Sequence, residues 1–141
     1  MRSLALVLAL LPAVAWAEPR TIAGEARWRD GDTAVVSGVP VRLSGLHAPE
    51  LREPGGGEAK RWMEAATRGQ VVTCVLDGSR TRDRWAGICT IMSQYVQIDL
   101  AAGLISAGLG RDCPRHSRGR YRHLERPEAV RFGLPAYCLL R

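Results

Sequence analysis

The stretch that decides the fold is Thr33-Ala34-Val35-Val36-Ser37-Gly38-Val39-Pro40-Val41-Arg42-Leu43-Ser44-Gly45-Leu46. Two runs rich in Val, Thr and Leu flank a Ser-Gly turn, and their period of two is that of strands half buried on one face. Upstream, Ile22, Ala26 and Trp28 extend the same pattern, and Asp30-Gly31-Asp32 supplies another turn. Together these residues predict a three-stranded meander over Thr21 to Leu46.

Downstream the period changes. Arg52 to Gly57 is a Pro/Gly-rich loop, after which Ala59, Trp62, Met63 and Ala66 recur at helical spacing until Gly69. Gln70 to Leu76 and Trp85 to Met92 then read as two more strands. Asp99 is the expected N-cap of a second helix carrying Leu100, Leu104, Ile105 and Leu109. Beyond it Pro114, Pro127 and Pro135 permit only short helices, around Arg120 to Arg126 and Glu128 to Phe132. Five strands with a helix after the third predict an α+β fold, an OB-type barrel with about three helices.

Met1-Arg2-Ser3, the apolar run from Leu4 to Val14 and Ala15-Trp16-Ala17 have the form of a cleavable signal peptide over residues 1–17. The run falls short of the ~20 residues a spanning helix needs. The expected division is therefore a leader at 1–17, one domain at 18–110 and a C-terminal extension at 111–141 packed on it. A secreted or periplasmic protein without a membrane span, acting as a monomer, follows. Cys74, Cys89, Cys113 and Cys138 all lie after the leader, and an even count in an exported chain reads as two disulfides. Three connectivities exist. Cys74 and Cys89 lie in two strand-like runs and Cys113 and Cys138 bracket the last segment, which favours 74–89 and 113–138.

The formal charge is +6. Glu18 to Gly110 holds eleven basic and eleven acidic residues, whereas the last 31 residues hold eight arginines against Asp112, Glu125 and Glu128. The excess is C-terminal, and a basic face of this kind suits a polyanion. The alternative is an arginine-rich solvated surface, since the chain has nineteen arginines to the single Lys60.

Asp30-Gly31-Asp32-Thr33 followed by Val41-Arg42-Leu43-Ser44-Gly45-Leu46-His47-Ala48-Pro49-Glu50 resembles the signature of the staphylococcal-type thermonuclease family. Asp83-Arg84-Trp85 and the helix ending at Gly110 are similar to further family motifs, so the resemblance spans roughly Ala23 to Gly110. It implies an OB barrel whose members cleave DNA and RNA phosphodiester bonds, usually with calcium. Carried over, Glu50 would be the general base, Arg42 the phosphate grip and Asp32 a ligand of the divalent cation. Such chemistry needs a base for water and positive charge on the non-bridging oxygens. The alternative for Arg42 and Glu50 is that they pair with each other.

Two departures stand beside the matches. His47 occupies the place of the family's second metal carboxylate, and calcium prefers oxygen donors, so a metal role for His47 would favour a borderline transition metal. Where the family continues Gly-Arg, this chain reads Ala86-Gly87, and the arginine that assists the leaving group is missing. Arg80, Arg82 or Arg84 would have to reach the phosphate instead, with Arg84 the candidate; its alternative is an ion pair with Asp83. In the extension, Arg118, Arg120 and Arg122 interleaved with Tyr121 form the candidate nucleic-acid-binding surface. The alternative for both tyrosines is packing beneath the disulfide; that is the expectation for Tyr137, while Tyr121 is left open between the two. The second functional reading is a catalytically silent OB-type module binding nucleic acid or protein through the same mouth.

Overall fold

The structure is a computed structural model, and it describes residues 20–139. The expected leader at 1–17 lies outside the described residues. Six strands form one ladder path: β1 (Thr21–Gly24), β2 (Ala26–Trp28), β3 (Thr33–Val36), β4 (Val39–Leu43), β6 (Val72–Thr81) and β7 (Arg84–Ser93), in the order β1-β6-β7-β4-β3-β2. A further strand, β8 (Val96–Asp99), pairs with β7, and β5 (Leu46–His47) pairs separately with β9 (Arg111–Asp112). The β4–β7 pair is parallel and the other ladders are antiparallel, so the seven-stranded sheet is mixed. It curls as a half-barrel.

The curl begins in the first run. Glu25, exposed, interrupts it, so β1 pairs with β6 while β2 pairs with β3. One sequence run thereby serves both ends of the sheet. The three runs of the meander and the two later strands fall where expected, but the count of five is too low. Asp77 to Arg84, the stretch between the strands read at Gln70 to Leu76 and Trp85 to Met92, largely continues the β6–β7 ladder, with Thr81 paired to Arg84. β8 was hidden because its turn, Gln94-Tyr95, takes left-handed φ values of 46° and 70° without a glycine.

Helix α1 (Gly56–Thr67) buries Ala59, Met63 and Thr67, one stripe at a spacing of four. Its start depends on Gly55, whose φ is 90°. A Cβ there would also lie 2.6 Å from the Phe132 ring, so both backbone freedom and close packing require glycine. Helix α2 (Leu100–Ser106) is capped as expected: Asp99 Oδ1 accepts from the N–H groups of Ala101 and Ala102 at 2.9 and 3.2 Å. Val36, Val41, Leu43, Leu46, Met63, Leu76, Leu100, Leu104 and Ile105 close one core between sheet and helices. Each such side chain contributes roughly 2 kcal/mol by leaving water.

The extension winds over this body through α3 (Pro114–Ser117) and three single 3₁₀ turns at Arg122–Leu124, Pro127–Arg131 and Ala136–Cys138. Prolines open two of the short segments and keep them short. Both disulfides form in the favoured pairing. Cys74 and Cys89 are direct partners across β6 and β7, and Cys113 joins Cys138. Loops of 15 and 25 residues closed this way restrain the unfolded chain by about 3 kcal/mol each. Two disulfides fit an oxidising compartment. Among the described residues no helix is long and apolar enough to cross a membrane.

Candidate active site

The turn and strand ends of the signature converge on Asp32. Its backbone N–H donates to Asp30 Oδ1 at 3.1 Å, closing an Asx turn that aims the Asp32 side chain inward. That side chain is 3% exposed. Arg42 Nη1 lies 2.6 Å from Asp32 Oδ1, Thr33 Oγ1 donates to the same oxygen at 3.0 Å, and the Ala48 N–H donates to Oδ2 at 3.3 Å. Thr33 and Arg42 are direct partners across β3 and β4, so register alone sets both beside the carboxylate.

Arg42 has two further acceptors. Its Nη2 donates to the Leu46 carbonyl at 3.3 Å and to the Tyr137 hydroxyl at 3.2 Å, and the guanidinium stands 5.6 Å from the centre of the Tyr137 ring. Tyr137 therefore does not pack beneath the disulfide. Cys138 anchors it at the mouth instead, with its ring half exposed. Arg84 joins from β7: its Nη1 donates to Thr33 Oγ1 at 3.1 Å, which links it through one hydroxyl to Asp32. Its approach to Asp83 is a loose 4.0 Å, while Asp83 holds Arg29 at 2.8 Å. Arg80 lies 5.3 Å over the Trp85 ring.

Glu50 is exposed at the rim, where its N–H donates to Glu53 Oε2 at 2.8 Å. The expected alternative, Glu50 paired with Arg42, does not occur: Arg42 pairs with Asp32, and Glu50 has no ion pair among the described residues. Its charge is nonetheless felt nearby. The Asp30 carboxyl is raised to about 6 by burial first, then by the charge of Asp32 and, more weakly, of Glu50. From sequence Asp30 reads only as a turn residue; the paired aspartates of Asp-Gly-Asp are the signal that it belongs to the site.

His47 is buried, and its Nδ1 has no hydrogen-bond partner among the described residues. Burial lowers its pKa against the opposing pull of Asp32, so the ring is neutral near pH 7. Among the described residues, no three His, Cys, Asp or Glu side chains group as a metal cage. Arg42 offsets the Asp32 charge, and Asp30 adds a second carboxylate beside it. That donor set fits a cation held by one or two carboxylates together with substrate phosphate oxygens, and does not fit a cage built by protein alone.

The missing arginine has a structural counterpart. On β7, Gly87 is paired with Leu43, which is fully buried, and a Cβ on Gly87 would lie 2.8 Å from the Val75 carbonyl oxygen. The place therefore faces the core and admits no side chain. Ala86, beside Arg42 in the parallel ladder, is the position sharing Arg42's face.

In the extension, Arg118, Arg120 and Arg122 are exposed or partly so. Tyr121 is not available with them. It is 2% exposed, and its hydroxyl donates to Asp99 Oδ2 at 2.7 Å, so it clasps the cap of α2 and belongs to the core. Comparison with protein-family models and with curated proteins finds no match to this chain.

Proposed function

We propose that the chain is an exported, nuclease-like phosphodiesterase of the thermonuclease type, its curled sheet standing in for the OB barrel. The observation that carries this reading is the chain of contacts Arg84 to Thr33 to Asp32 to Arg42, beside an exposed Glu50 that makes no ion pair among the described residues. Two guanidinium groups and one free carboxylate at a single mouth are what phosphodiester hydrolysis calls for.

Glu50 takes a proton from a water molecule whose oxygen attacks phosphorus. Arg42 keeps two of its five N–H donors outside the hydrogen bonds named above, and these bind a non-bridging oxygen. Arg84 takes the place of the missing arginine, neutralising charge that grows as the ester P–O bond breaks. The departing alkoxide takes its proton from solvent. Asp32 and Asp30 would hold a divalent cation together with the substrate phosphate; when bound, the cation would supply Lewis-acid polarisation of the phosphate. Arg118, Arg120 and Arg122 attract the remaining backbone of the strand.

A second reading, a silent nucleic-acid-binding module, is favoured by one observation: position 87 has no room for an arginine. Incubating oxidised protein with single-stranded DNA and RNA in calcium, manganese, magnesium or EDTA separates the two. Cleavage products in any of the metals support the enzyme. Binding without cleavage under every condition supports the module.

A further inference from the structure

The rim of the mouth continues into a cleft of about 510 Å³ between the loop after β5 and the arm segment leading to Tyr137. His47, Pro49 and Pro54 form one wall, and Phe132, Leu134 and Pro135 the other. Two facts join it to the proposed catalytic mouth. Glu53, also in the wall, accepts the hydrogen bond from the Glu50 N–H at 2.8 Å. Pro135, at the other wall, stands two residues before Tyr137, whose hydroxyl meets Arg42 at 3.2 Å.

The cleft's charges select its occupant. Glu53 and Arg131 offset each other, and the remaining lining is largely apolar, so a phosphate gains little there and would meet the Glu53 carboxylate. A planar, uncharged heterocycle gains more: proline rings to lie against, Glu53 to accept an N–H, and Arg131, already 4.5 Å over the Phe132 ring, to stack on. The volume lies within the range of small-molecule sites. On the far side of Leu134, a second cleft of about 280 Å³ is lined by Arg111, Arg122 and Arg126 against Asp112 and Glu125; Arg111 pairs with Glu125, which leaves Arg122 and Arg126 in excess. It has the charge the first one lacks.

We propose that the cleft between Pro54 and Pro135 is a nucleobase subsite, seating one unpaired base of a single strand, with the adjoining phosphate at Arg122 and Arg126. The inference rests on the nucleic-acid reading above. It gives the arm a second duty besides attraction, that of reading the base next to the bond under attack.

The test compares two fluorescent strands of equal charge, an eight-residue oligothymidylate and its abasic counterpart of tetrahydrofuran units, by anisotropy with the oxidised wild-type protein. Oligothymidylate should bind about tenfold more tightly, since one stacked base contributes that much or more. Gly133→Leu adds a side chain at a residue lining the cleft, where a Cβ meets nothing within 4 Å, so the fold is expected to hold while the cleft is narrowed. That variant should bring oligothymidylate down to abasic affinity and leave abasic binding unchanged. Equal binding of the two strands by wild type overturns the subsite while leaving the nucleic-acid reading intact, as does a Gly133→Leu variant that still discriminates. No binding of either strand overturns both.

Discussion

Asp32 Oδ1 and Arg42 Nη1 meet at 2.6 Å in a pair whose side chains are 3% and 18% exposed. The ion pair is buried enough that removing one partner strands a charge. Arg42→Met is therefore expected to lower stability by about 3 kcal/mol or more, because Asp32 is left uncompensated. Adding Asp32→Asn should recover part of that loss. A urea-unfolding double-mutant cycle checks this, and additive costs would show that the two residues are not coupled.

The Asp30 carboxyl carries a pH dependence of definite sign. Its folded value is raised from 3.8 to about 6, so between those values the folded state holds more proton than the unfolded one. Stability contributed by the neutral carboxyl is present at low pH and lost as pH rises through about 6. Asp30→Asn should then be more stable than wild type at pH 8, with the gain fading as pH falls toward 4. Thermal midpoints measured across that range read the effect; a gain that persists at pH 4 would contradict it.

Strand register makes a prediction about the absent arginine. Gly87→Arg should cost about 3 kcal/mol or more, since even a Cβ there meets the Val75 carbonyl and the side chain would point at the core. Ala86→Arg, on the face shared with Arg42, should fold and should raise cleavage roughly tenfold by adding one transition-state interaction. Circular dichroism melting and initial rates of the two variants decide the matter. A stable Gly87→Arg protein with improved activity would show the register argument to be mistaken.

Neutralising Arg118, Arg120 and Arg122 to Gln should weaken single-stranded DNA binding and flatten its salt dependence by about 0.7 in slope for each phosphate left without its arginine. These side chains reach solvent, so stability should hold. Affinities from low to high salt are the readout; an unchanged slope removes these arginines from the interface.

Much of this was legible in the chain because local rules and tertiary packing agree. The Val-Pro-Val-Arg-Leu run alternates, and its Val41 and Leu43 are buried while Arg42 turns to the mouth. Cys74 and Cys89 fall in two strand-like runs, which favours the bridge, and the structure sets them opposite each other on adjacent strands. What escaped reading depends on partners distant in sequence. Tyr137 reaches Arg42 across 95 positions, next to the Cys138 that the Cys113–Cys138 bond ties down. Tyr121 looked like a stacking ring among arginines, but Asp99 draws its hydroxyl inward. Glu50 follows a bend at Ala48-Pro49, so strand parity says nothing about where it points.

The most direct measurement is single-turnover cleavage of a labelled DNA strand by oxidised wild type, Glu50→Gln and Arg84→Ala, each first shown to melt as wild type does. Wild type is expected to cleave, with losses of about 10² or more in both variants, as removal of a base or of one transition-state interaction produces. Cleavage by Glu50→Gln at the wild-type rate would contradict the assignment of Glu50 as the base.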